Sequence, residues 1–252
     1  MPKTARLTKR EENMGSVKLT LIGMVAAGMA LATAPASAAT LKVSVDSFKN
    51  GGTVPNKYAF CIPAAQGHTT GGSNINPNIS WSKGPRGTKS YAVILYDTDS
   101  PAEHREMMNK EGVTMTADVK RHDFFHWVLV DIPPNVTSIK EGADSNARVV
   151  HGKPATSTIG VKGLNDYTKV TAANDAMKGQ YYGYDGPCPP WNDEIVHHYH
   201  FTVYALSVKS LDLPKDFDGP AAQDAMKGKI LAQGEELGLY TQNPAKGAKV
   251  AP

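Results

Sequence analysis

SYAVILYD, residues 90–97, decides the fold class. An extended chain sends successive side chains to opposite faces. Here Tyr91, Val93 and Leu95 fall on one face, and Ala92, Ile94 and Tyr96 on the other. Both faces are apolar, which predicts a central strand covered on both sides. FFHWVLVDIP, 124–133, reads the same way: Phe124, Val128, Val130 and Ile132 are expected to share a face with His126, and Trp127 to sit opposite in the core. HYHFTVYALSV, 198–208, is a third strand, rich in β-formers. Upstream, TLKVSVDSFK, 40–49, alternates as a half-buried strand, and the Gly/Asn/Pro-rich 50–78 reads as loop. Residues 220–238, with Ala, Met and Leu spaced for one apolar face, read as the best helix, ending near Gly238. The Pro/Gly/Ala/Lys-rich tail, 241–252, reads as frayed.

The 252 residues are 40% hydrophobic and 20% charged, which fits a globular chain and argues against global disorder. With 23 Gly and 17 Pro, many turns and few long helices are expected. The formal charge of +3 comes from the first 38 residues. Beyond them 22 basic and 22 acidic residues balance, so bulk charge gives no support to nucleic-acid binding. The leader itself has a basic stretch ending at Lys18, an uncharged apolar run from Leu19 to Leu31, and a small-residue tail with Ala36-Ser37-Ala38. This is the pattern of a signal peptide over 1–38, its apolar run short for a membrane span; an uncleaved anchor is the alternative reading, and Met14 is an alternative start. The expectation is an exported protein, periplasmic or secreted and not membrane-spanning, with one mostly-β domain over 39–240. Cys61 and Cys188 are the only cysteines; an oxidising compartment permits a bridge between them, and two free thiols are the alternative.

Candidate chemistry follows from strand parity. His197 and Tyr199 share the face of Phe201, Val203 and Ala205 but are polar. Polar groups at the end of an apolar face either find partners or line a cavity. Asp97 ends the first buried strand and His126 opens the second, so one sheet rim would gather Asp97, His126, His197 and Tyr199. GYDGPCPP, 183–190, is a proline-stiffened turn just before His197, able to wall a pocket and aim backbone N–H groups such as that of Gly186 at a ligand. DTDSP, 97–101, reads as a second turn. Residues 98–123 and 141–183 are long polar insertions, and loops of this length often carry sites. His198 and His200, two apart on one strand face, are either a chelating pair or, the plainer reading, solvated. Trp191, beside the proline turn, is a candidate for the pocket mouth.

DTDSP, then HWVLVDIP, GPCPP and HHYHFTVYAL in that order resemble the phosphatidylethanolamine-binding protein family, and its bacterial Raf-kinase-inhibitor-like branch in particular. The stretches 75–93 and 226–240 add to the likeness, which spans roughly 41–240. The resemblance implies a central antiparallel sheet packed on a second, smaller sheet, with peripheral helices and a small anion pocket. It places the pocket on Asp97, His126, His197 and Tyr199, with Pro189 and Pro190 as wall. Where the family has an H-R-Y element this chain reads His197-His198-Tyr199, so an arginine is missing. The expected ligand is a small phosphorylated or carboxylated molecule, such as a phospholipid head group, held by histidine N–H groups and the Tyr199 hydroxyl. Asp97 is expected to orient a histidine or, alternatively, to receive the ammonium of an ethanolamine head group. No cofactor, metal or catalysis is expected; there is no G-x-S-x-G elbow. The alternative function is a protease- or kinase-inhibitor-like interaction module acting through the surface loops.

Overall fold

The computed structural model describes residues 39–249; the leader, and with it the expected signal peptide, lies outside them. Strands β7 (Ser90–Pro101), β8 (Arg121–Ile132) and β11 (His197–Leu206) form the centre of a seven-stranded sheet. β12 (Ile230–Tyr240) pairs antiparallel with β11, β10 (Val161–Lys162) closes the far edge on β8, and β1 (Ala39–Thr40) and β3 (Gly52–Thr53) run parallel to β12. A smaller antiparallel sheet holds β2 (Val43–Val45), β6 (Ile79–Trp81) and β9 (Ser138–Ile139). β4 (Cys61–Pro63) and β5 (Thr69–Gly71) make a separate hairpin, and α1 (Tyr167–Val170) is a single helical turn.

The two-sided apolar pattern of the central strands has its cause in two cores. On one face Val93, Leu95, Leu129, Phe201 and Val203 pack against Val45, Ile79, Trp81 and Ile139 of the small sheet. On the other, Ala92, Ile94, Val128, Val130 and Tyr204 are covered by Leu211, Phe217 and the Ala222 and Met226 side chains of α2 (Gly219–Met226). Burying a side chain of this size is worth about 2–3 kcal/mol, so exposing either face would cost more than the whole stability of a typical domain.

Three readings are corrected here. The predicted helix over 220–238 is a helix only to Met226. Asp218 caps α2 by accepting from Ala221 N at 3.2 Å, and Gly228 at φ +72° turns the chain. From Ile230 the residues alternate instead: Ala232, Gly238 and Tyr240 point inward, Gln233 and Glu235 outward, and ladder bonds to β11 outweigh the helical spacing. Strict parity also fails in β8. Leu95 pairs with Trp127 but Tyr96 with Phe125, a bulge at His126. It leaves His126 on the face of Trp127 and Leu129, against Tyr199, while Phe125, Val128 and Val130 lie on the helix side; a second shift, beside Asp131 at φ +56°, returns Ile132 inward. DTDSP is not a turn but the bulged end of β7, where Asp99 N donates to Asp97 Oδ1 at 2.8 Å.

The tail after Tyr240 is anchored rather than loose at its start. Gln242 is buried and its Nε2 donates to the Pro189 carbonyl at 2.5 Å, while Asn243 Nδ2 donates to Asp193 O at 2.7 Å.

Candidate functional site

Register brings the rim together. Tyr199 lies directly across from Asp97, and Asp97 from Phe124. The bulge at His126 swings that ring toward the same end of the sheet, edge-on to Tyr199 at 5.3 Å between centroids. Asp97, His126, His197 and Tyr199, all buried, floor a cavity of about 360 Å³. Pro189 and Pro190 form one wall; Phe60, Phe124 and Tyr167 form another. Arg148, Arg105 and Met177 stand at its mouth.

Two donor assignments are corrected. Gly186 is not on the cavity: its N–H donates to Asn74 Oδ1 at 2.8 Å and its carbonyl accepts from the Tyr167 hydroxyl at 2.8 Å. A Cβ at Gly186 would lie 1.8 Å from the Tyr58 carbonyl oxygen, so glycine answers a close backbone approach, not a ligand. His197 offers no free N–H. Its Nδ1 donates to Asp97 Oδ2 at 2.7 Å and its Nε2 to Asp193 Oδ2 at 3.2 Å. Asp193 is held in turn by a bidentate Arg121 and by Ile195 N. Burial alone would drive protons off His197, but the Asp97 and Asp193 carboxylates outweigh it and lift the imidazolium to about 9. Burial likewise opposes ionised Asp97, yet the His197 charge beside it holds the carboxyl below its usual value. The chain Arg121–Asp193–His197–Asp97 is thus a buried row of alternating charges with formal sum zero.

His126 is set differently. Its Nδ1 donates to the Asp185 carbonyl at 2.8 Å, and Asp185 N donates back to the His126 carbonyl at 2.8 Å. Asp185 is itself fixed, its carboxylate accepting from Asn74, Asn165 and Lys153. Burial holds the His126 ring below its ordinary pKa, with Asp97 pulling the other way. The ring is therefore neutral at pH 7, protonated on Nδ1, and its Nε2 has no partner among the described residues.

Two more polar groups at the cavity lack partners among the described residues: the Tyr199 hydroxyl and Arg148 Nε, both buried. Arg148 was not legible in the sequence; it comes from the long 141–183 insertion. Its guanidinium lies 4.7 Å over the Phe60 ring, with Nη2 on Met177 Sδ at 3.5 Å. The same insertion supplies Tyr167, Asn165 and Lys153, so it builds the wall and its support. Asp193 and Arg121 were likewise missed, because nothing in their spacing marks a carboxylate that meets a histidine four residues on.

Cys61 and Cys188 are disulfide-bonded and both border the cavity, tying β4 to the proline segment. Trp191 is not on the cavity; it stacks on His68 at 3.8 Å between centroids. His198 and His200 each bond a carboxylate through Nδ1, Asp99 and Glu235 respectively.

Comparison with known proteins gives the same architecture. A UPF0098 protein of Aquifex aeolicus is 33% identical over 209 residues, covering 82% of this chain and 92% of its own. Escherichia coli YbcL, another UPF0098 protein, is 28% identical over 217 residues, covering 86% and 96%. The crystal structure of E. coli YbcL, described as a member of the mammalian PEBP family, superposes with TM-score 0.57 at 27% identity, covering 81% of this chain and 99% of that one. A PEBP homolog from Chlamydia trachomatis gives 0.50 at 28% identity, covering 80% and 97%. The model of the phosphatidylethanolamine-binding protein family matches residues 44–241, and with the fold and these relatives it shows that the chain belongs to that family.

Proposed function

We propose that this protein binds a small oxyanion, a phosphate, a phosphorylated head group or a carboxylate, in the 360 Å³ cavity. The observation that carries the reading is a pair of unpaired donors belonging to residues that line one cavity: the Tyr199 hydroxyl and Arg148 Nε. A buried donor left without an acceptor costs about 1–3 kcal/mol, and an oxyanion between them would remove that cost. Charge supports it. The four-membered row from Arg121 to Asp97 cancels, and among the described residues no carboxylate pairs with Arg148 or Arg105. The positive balance at the mouth therefore has no internal counterion. A guanidinium recognises oxyanions through two parallel N–H bonds. Phe60, Phe124 and Tyr167 leave room beside the anionic group for its apolar remainder.

The reading is one of binding, not turnover. The Asp97–His197 couple looks like half of a hydrolytic triad, but both ring nitrogens of His197 are committed to carboxylates, so it cannot take a proton from a nucleophile. Export belongs to the same proposal: it is supported by the leader pattern over 1–38 and by a disulfide that needs an oxidising compartment. The test is a 31P NMR titration of phosphoethanolamine. Broadening or shift of the phosphorus line by the wild-type protein, lost in Arg148→Met, is expected. No change with wild type, or an unchanged response in Arg148→Met, removes the reading.

A further inference from the structure

We infer that the cavity selects oxyanions that carry a proton, so that hydrogen phosphate and phosphomonoesters are held while sulfate and carboxylates are refused. The inference rests on the oxyanion reading above and sharpens it to one chemical class.

The argument is about which groups face the ligand as donors and which as acceptors. Arg148 and the Tyr199 hydroxyl are donors. His126 Nε2 is an acceptor, and its tautomer is enforced from behind. Nδ1 must carry the proton because it faces a carbonyl, that of Asp185, at 2.8 Å. The ring cannot exchange its nitrogens by flipping, since Asp185 is pinned on every side: its N–H on the His126 carbonyl, its carboxylate on Asn74, Asn165 and Lys153. Phe124, Tyr167 and Tyr199 pack the ring in place, with centroids 4.8–5.6 Å away. The second acceptor is Asp97, which the Arg121–Asp193–His197 row keeps ionised at the cavity floor.

The site therefore has one donor at its mouth, Arg148, and on its floor one donor, the Tyr199 hydroxyl, beside two acceptors, His126 Nε2 and Asp97. Sulfate above pH 3 has no proton, so an oxygen that reaches His126 Nε2 or Asp97 meets a lone pair or a carboxylate with nothing to donate. A carboxylate has the same defect. Hydrogen phosphate carries one P–O–H, which donates to His126 Nε2 while the other oxygens accept from Arg148 and Tyr199. A phosphomonoester does the same as its monoanion, or passes that one proton to Nε2; in both cases a single proton sits between ligand and ring. No bond other than the O–H is made or broken. Mismatched buried polar pairs of this kind cost roughly tenfold to a hundredfold in binding.

Isothermal titration of the purified protein with sodium phosphate and with sodium sulfate at pH 8 tests it. Phosphate is expected to bind at least about tenfold more tightly than sulfate. His126→Gln places an amide that turns either its oxygen or its NH2 to the ligand, so the phosphate-to-sulfate ratio should fall toward one. His126→Asn serves as a second variant, and each is used only if its melting temperature stays near that of the wild type. Arg148→Met should weaken both anions and leave the ratio alone. Equal affinities for the two anions in the wild type, or a ratio that both His126 variants leave intact, overturns the selection and spares the oxyanion pocket. Binding of neither anion overturns the pocket itself.

Discussion

The buried charge row makes a sharp prediction about alkaline stability. In the folded protein His197 keeps its proton to about 9; in the unfolded chain it loses it near the ordinary value of about 6.5. A raised folded-state value means stabilisation that is complete below about pH 6.5 and lost as pH rises through about 9. Between those limits the native state holds one proton more than the unfolded state, so stability falls by about 1.4 kcal/mol per pH unit. The total is about 3 kcal/mol, and it needs no discount for exposure because the His197 side chain is 1% accessible. For a domain of this size that is on the order of 10 °C in melting temperature. Urea unfolding at intervals from pH 6 to pH 10, with the disulfide intact, measures it. His197→Gln is the control: it should lower the plateau by about 3–5 kcal/mol, because Asp97 and Asp193 stay buried without their cation, and it should abolish the slope. A wild-type stability that is flat from pH 6.5 to 9, or a slope that His197→Gln keeps, refutes the assignment of a shared imidazolium. On the acid side the same row fails when Asp97 and Asp193, both held below ordinary carboxylate values, take up protons.

Tyr199→Phe should stabilise the fold by about 1 kcal/mol, since it deletes a buried hydroxyl without a partner, and should weaken phosphate binding; a variant that is both less stable and equally competent contradicts the site. Reducing the Cys61–Cys188 bond, which spans 127 residues, should cost up to about 5 kcal/mol on the chain-entropy view, read as a drop in urea midpoint with dithiothreitol; an unchanged midpoint counts against it. Gly186→Ala should be strongly destabilising by thermal melting, because its Cβ would overlap the Tyr58 carbonyl; near-wild-type melting would show that the wall can shift.

What could be read from the chain, and what could not, follows from the range of the physics involved. The two-faced apolar runs at 90–97, 124–133 and 198–208 are local signals, and the sheet obeys them because both faces do find cover. Parity placed Asp97, His197 and Tyr199 toward one rim for the same reason. It failed at His126, where one extra residue turns the following side chains over, and no local residue announces that bulge. Residues 230–240 show the other limit: a Leu/Glu-rich stretch has helical propensity, but β11 presents a whole edge of unpaired N–H and C=O groups, and pairing that edge outweighs propensity.

The donor roles were misread for a deeper reason. A histidine in a motif shows its residue type but not what lies behind each nitrogen, and here the groups behind decide the chemistry. His197 looks like a ligand donor until Asp193 takes its second nitrogen; then it becomes a fixed charge whose effect on the cavity is to keep Asp97 anionic. His126 looks like a donor until the Asp185 carbonyl claims Nδ1; then it becomes an acceptor. With neither imidazole offering an N–H to the anion, the positive charge has to come from elsewhere, and Arg148, whose Nε is buried without a partner among the described residues, lines the cavity. The arginine missing from the His197-His198-Tyr199 element is therefore not a loss at this site: His198 faces away, bonded to Asp99, and the guanidinium that serves the cavity arrives from the insertion instead.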